Sequence, residues 1–248
     1  MCCATLLVLT LCRYVTDTMT PRLGGPNAFR LRYYHASVPS HSRDERAALA
    51  DLMAGLGPDA PTLCTGWTTR DLAAHLVARE RRPDIGIGAV VPGLQRWAER
   101  ARIALRDGTP WDGLLGQLRD GAPAWSPMGN AMTEPAVNLL EFFVHHEDVR
   151  RARPDWGPRA LPSRLEDDLW TRLQYAGPLM TRKWGAGLAV VTPDGRSLRL
   201  RRGEPAVVVR GAPSELVLYC TGRQRVARVA PEGPPELVEA LDVAPFGI

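Results

Sequence analysis

The chain has 248 residues, 45% hydrophobic and 23% charged, which excludes wholesale disorder and a membrane bundle and is ample for a core without disulfide or metal staples. Its net charge is +4, and Lys183 is the one lysine among 31 basic residues. The arginines are scattered among 27 acidic residues, so the basic balance gives no nucleic-acid footprint and reflects the residue usage of a GC-rich genome. Five cysteines, Cys2, Cys3, Cys12, Cys64 and Cys220, are an odd count without C-x-x-C spacing. They argue against a disulfide framework and a Cys-ligated zinc site, and fit a reducing cytoplasm.

The apolar run Ala4 to Cys12 lacks a basic leader and a small-residue cleavage site, and it is too short to span a bilayer. Residues 1 to about 40 are expected to form a disordered extension, with Val38 an alternative start. A capping box at Ser42-Arg-Asp-Glu45 then opens an amphipathic helix carrying Leu49, Leu52, Met53 and Leu56, which Gly57-Pro58 stops. Thr68, with Asp71 at N3 and Trp67 placed to staple Leu72, opens a second helix that bears Leu72, His75, Leu76 and Arg79 and ends before Pro83. A third helix is predicted over 92–106, and a short one on Trp111, Leu114, Leu115 and Leu118. After the loop Gly121 to Met132, Thr133 and Pro135 open a further helix with Val137, Leu140, Glu141, Val144, His145 and Asp148 along one face.

This pattern predicts a helical bundle over residues 41–155 with almost no strand. Beyond Pro154 the signals change. Ser163-Arg-Leu-Glu166 caps one helix, and strands are predicted at Leu188 to Thr192, Leu198 to Arg201, Ala206 to Arg210 and Val226 to Ala230. Helices are predicted at Ser214 to Thr221 and Pro235 to Val243, so residues 156–248 form a small α+β domain.

Glu141 and His145 lie four apart on one helix face and interrupt an apolar stripe, where burying either alone costs several kcal/mol. A satisfied Glu-His hydrogen bond and a metal site both answer that need. His75 interrupts the apolar side of another helix of the bundle, and His2Glu is a catalytic zinc set with an open fourth position. Spacing alone leaves both readings standing.

The segment Gly66-Trp-Thr-Thr-Arg-Asp-Leu-Ala-Ala-His75, together with Glu141-Phe-Phe-Val-His145-His-Glu-Asp148, resembles the metal-binding domain of mycothiol-dependent maleylpyruvate isomerases, a branch of the DinB-like four-helix bundles. Motif order and the change to an α+β tail also resemble actinobacterial metal-binding proteins of that group, over residues 42 to 248. The resemblance implies an N-terminal DinB-like four-helix bundle and a divalent ion, usually taken as zinc, held by His75, Glu141 and His145. Leu218-Tyr-Cys-Thr-Gly-Arg223 is similar to the L-x-x-x-G-R stretch of the family's C-terminal domain, which implies that Arg223 faces the cleft beside the metal and holds a substrate carboxylate. The plainer alternative is a helix C-cap at Gly222 followed by a surface arginine.

His146, about 100° around the helix from His145, points elsewhere, and Asp148 either orients a ligand or makes a helix hydrogen bond. Asp71 is a capping residue; Glu147, Arg150, Arg151, Arg70 and Arg79 are read as solvent-facing charges. Cys64 and Cys220 read as buried small hydrophobes. The resemblance implies a metal-dependent thiol-utilising isomerase or S-transferase, whose partners are a small-molecule thiol such as mycothiol and an electrophilic substrate, with no nucleic acid and no membrane. A non-catalytic metal-binding or regulatory protein and a metal-assisted hydrolase are the alternatives.

Overall fold

The computed structural model describes residues 40–126, 128 and 134–247. The predicted N-terminal extension and the 129–133 segment ahead of the Glu141 helix, with Thr133 of its predicted start, lie outside them. By its contacts the described chain divides into two units: a helical unit, residues 40–59 and 69–146, and a mixed unit, residues 60–68 and 147–247.

In the helical unit, α1 (His41–Leu56) buries Leu49, Ala50 and Met53 on one face. The helix begins one residue before Ser42, and Ser40 stands at its N-cap; Ser42 and Glu45 are themselves buried, so the predicted capping box gives way to tertiary use of Glu45. Gly57, at φ 82°, returns its N–H to the Met53 carbonyl and ends the helix. α2 (Thr69–Arg81) follows directly on Thr68 and buries Leu72, Leu76 and Val77. α3 (Pro83–Val90) was not predicted, and the predicted 92–106 helix is α4 (Gln95–Gly108), which starts only after Pro92 and Gly93, the latter at φ 88°, separate it from α3. α5 (Trp111–Asp120) packs Leu114, Leu115 and Leu118 inward. α2 packs against α4 and α5, and α1 against α5. In α6 (Glu134–Arg150), Leu139, Leu140, Phe142, Phe143 and Val144 are all buried, and so are Asn138, Glu141, His145, His146, Glu147 and Asp148, whose polar groups therefore need buried partners.

The mixed unit contains α7 (Ser163–Met180), which packs on α8 (Pro213–Cys220). A four-stranded sheet has the order β2-β1-β3-β4, formed by β1 (Gly187–Val191), β2 (Ser197–Arg201), β3 (Ala206–Arg210) and β4 (Ala230–Glu232). β1 runs antiparallel to β2 and parallel to β3, and β3 antiparallel to β4. Leu188, Val190, Val207 and Val209 alternate onto the buried face. Val226 to Ala230 is not a strand as predicted. Gln224–Val226 form a 3-10 turn, and pairing starts only at Ala230. α9 (Pro235–Leu241) closes the unit. Among the described residues, no helix is long and apolar enough to cross a membrane.

The end of α8 is a Schellman motif: Arg223 donates to the Leu218 carbonyl at 2.9 Å and Gly222 to that of Tyr219 at 3.3 Å. Gly222 sits at φ 90°, and a Cβ there would lie 3.0 Å from the Phe246 carbonyl oxygen. Gly222→Ala is therefore expected to lower stability by about 1–2 kcal/mol, the cost of a left-handed non-glycine residue. Urea unfolding of the variant beside the parent chain checks it.

Candidate metal centre

α2 and α6 carry the three predicted ligands, all within the helical unit. Leu72 and Leu76 anchor one side of α2 in the core and so fix the azimuth of His75, three and one residues away. On α6 the buried run Leu139 to Val144 locks the helix, which sets Glu141 and His145 on one line, one turn apart. Their side chains are 4% and 3% exposed.

The geometry brings the three together. His75 Nε2 lies 3.1 Å and His145 Nε2 3.3 Å from the same carboxylate oxygen, Glu141 Oε1. All three donor atoms fall within 4.8 Å of one another, and the imidazole rings meet edge to face with centroids 5.5 Å apart. Burial alone would raise the Glu141 pKa; the Arg79 charge and the hydrogen bonds from His145 and His75 outweigh it and hold the carboxyl well below its ordinary range. Two imidazole nitrogens and a carboxylate oxygen are a borderline donor set that suits zinc and leaves a fourth position open.

Arg79 corrects the reading from sequence. It is buried, not solvent-facing: Nε stands 3.7 Å from Glu141 Oε1, and Nη1 donates to Asn138 Oδ1 at 2.6 Å. Asn138 is fully buried and passes its own amide N–H to the Met128 carbonyl at 3.2 Å. Arg79 is four residues beyond His75 and Asn138 three before Glu141, so helical spacing alone placed both on the ligand faces. His146 does point elsewhere, with Nδ1 2.8 Å from Glu45 Oε2. Asp71 receives Arg102 and Arg106 at 3.2 and 2.8 Å.

In the mixed unit Arg223 is held by Asp148. Nε donates to Oδ1 at 2.9 Å, Nη2 to Oδ2 at 2.6 Å and Nη1 to the Thr221 carbonyl at 2.6 Å. Asp148 is fully buried, so this is a bidentate, charge-assisted pair. Cys64 differs from the buried hydrophobe expected: it is half-buried, and its thiol donates to Asp148 Oδ2 at 3.3 Å. Cys220 is buried as predicted, and burial pushes its pKa up to about 12. Glu147 and Arg151, read as solvated, are also buried and joined to each other at 2.6 Å.

The family described as mycothiol maleylpyruvate isomerase N-terminal domain matches residues 42–84. The crystal structure of the mycothiol-dependent maleylpyruvate isomerase aligns at 18% identity and a TM-score of 0.51, covering 79% of this chain and 95% of that one. A histidine-to-alanine mutant of that isomerase aligns at 18% identity and 0.50 over the same shares. No curated protein sequence matches the chain. Residues 42–84 thus match the family model of the mycothiol maleylpyruvate isomerase N-terminal domain, and the chain shares the fold of the mycothiol-dependent maleylpyruvate isomerase, in line with the resemblance suggested by the sequence.

Proposed function

We propose that this protein is a divalent-metal-dependent, thiol-utilising enzyme, an isomerase or S-transferase of the reducing cytoplasm, whose helical unit is a DinB-like four-helix bundle holding zinc through His75, Glu141 and His145. The observation that carries the reading is the convergence of two imidazole nitrogens on one buried carboxylate oxygen, at 3.1 and 3.3 Å. A divalent ion bound there would favour the thiolate of a small thiol such as mycothiol, the attacking nucleophile on an electrophilic carbon.

The chain's own charges support an anionic occupant of the open position. One carboxylate and two neutral imidazoles compensate only half of a divalent charge. Arg79, 3.7 Å from the carboxylate, adds a further positive charge and favours an anion over a neutral ligand. Asn138 accepts the Arg79 Nη1 hydrogen bond and so limits how far the guanidinium can intrude on the carboxylate. In the other unit, Asp148 and the Thr221 carbonyl fix the plane of the Arg223 guanidinium, which pre-orients that group to hold a substrate carboxylate.

The test is elemental analysis of the purified protein combined with calorimetric titration of mycothiol into the metal-loaded and metal-stripped forms. One ion per chain, with thiol binding confined to the loaded form, is expected. No bound ion would overturn the reading; an ion without thiol binding would leave a non-catalytic metal-binding protein or a metal-assisted hydrolase in its place.

A further inference from the structure

A pocket of about 710 Å³ lies within the mixed unit, walled by residues of the 61–68 loop, the turn after α8 and the C-terminal segment. Its lining carries three cations, Lys183, Arg223 and Arg225, against one acid, Asp242. Lys183 is the one lysine of the chain. Neither Lys183 nor Arg225 makes a hydrogen bond or ion pair among the described residues, whereas Arg150, Arg151, Arg159, Arg196 and Arg210 of the same unit are each engaged by a carboxylate. Arg223 is already compensated by Asp148, so the charges left without a partner among the described residues are those of Lys183 and Arg225; two like charges around one concavity raise its positive potential and draw an anion.

The apolar part of the lining includes two aromatic residues, Trp67 and Phe246. The Phe246 ring is braced by Trp184 and Tyr219, which pack T-shaped against it with centroids 6.2 and 5.9 Å away, so its position is preformed. The volume lies within the ~300–1,000 Å³ usual for small-molecule sites, and the concavity is partly open to solvent.

We infer that this pocket is a binding site for an aromatic anion, a flat apolar body carrying a carboxylate or sulfonate, whose acidic group is met by Lys183 and Arg225 as well as Arg223. The inference rests on the reading of Arg223 as an anion holder.

The probe is 8-anilinonaphthalene-1-sulfonate, titrated by fluorescence into the zinc-loaded parent chain, K183Q, R225Q and the double variant, with uncharged N-phenyl-1-naphthylamine in parallel. One saturable site is expected for the anion, with affinity falling about tenfold in each single variant, as for loss of one charge-assisted contact. The uncharged analogue should bind more weakly and be unaffected by either substitution. Equal anion binding by parent and double variant, or equal binding of charged and uncharged probes, would overturn the inference. Zinc content measured on the same samples separates the two readings: absent zinc with charge-dependent probe binding defeats the metal centre and leaves the pocket standing.

Discussion

His145→Ala is expected to abolish metal binding at micromolar zinc while leaving the helical unit folded. Losing an outer-shell partner of a metal site costs about 10–100-fold in affinity, and loss of one of three direct ligands should exceed that. The fold does not depend on the imidazole, because Leu139, Leu140, Phe142 and Phe143 bury α6 whether or not His145 is present. The cavity left by the ring should cost about 1–3 kcal/mol, the ordinary range for a buried substitution. His146→Ala should keep the ion, since His146 turns to Glu45. Zinc content and far-ultraviolet circular dichroism, measured together, check both variants. An unfolded His145→Ala chain at room temperature would mean that the metal is a structural staple.

Glu147→Gln is expected to be the most destabilising isosteric change in the mixed unit, costing about 3–5 kcal/mol as the removal of one member of a buried charge network. Glu147 receives Arg150 at 2.9 Å, Arg151 at 2.6 Å and Arg159 at 2.7 Å, and Arg151 goes on to Glu215 at 2.7 Å. Neutralising Glu147 leaves these three guanidinium groups with Glu215, paired to Arg151, as the one carboxylate remaining among them. Arg150 and Arg159 are each about one-fifth exposed and recover some hydration, which favours the lower end of that range.

The same residue gives a pH dependence of fixed sign. Burial pushes its carboxyl up, but the Arg151 hydrogen bond and the charges of Arg159, Arg150 and Arg151 outweigh it and hold the folded-state pKa below its ordinary 4.5. Its contribution is therefore fully present above about pH 4.5 and is lost as pH falls through the lower, folded-state value. Urea unfolding at pH 7 and across the acid range should show a shallower acid decline in the glutamine variant than in the parent chain.

The clustering of His75, Glu141 and His145 was legible because it depends on local geometry. Four-residue spacing puts Glu141 and His145 on one helix face regardless of the rest of the fold, and His75 stood out as a polar interruption of an apolar side. Arg79 and Glu147 were misread because a charged residue on an amphipathic helix looks the same whether it faces water or a buried partner, and their partners, Asn138 and Arg159, come from elsewhere in the chain. Glu45 followed the same logic: its spacing from Ser42 matched a cap, but His146, a hundred residues on, engages it. Among the strands, Ala206–Arg210 is apolar and central and was read correctly, whereas Val226 to Ala230 has the alternation of a strand but no neighbouring edge until Ala230. The Arg223–Asp148 pair joins residues 75 apart in sequence. Neither residue's own surroundings in sequence announce it.

The most direct test of the central claim is zinc-edge X-ray absorption of the metal-loaded protein before and after mycothiol is added. Nitrogen and oxygen neighbours at about 2.0–2.2 Å are expected, joined by one sulfur at about 2.3 Å when the thiol binds. A shell already containing sulfur without thiol, or one unchanged by saturating thiol, would contradict a centre formed by His75, Glu141 and His145 that recruits the thiol to its open position.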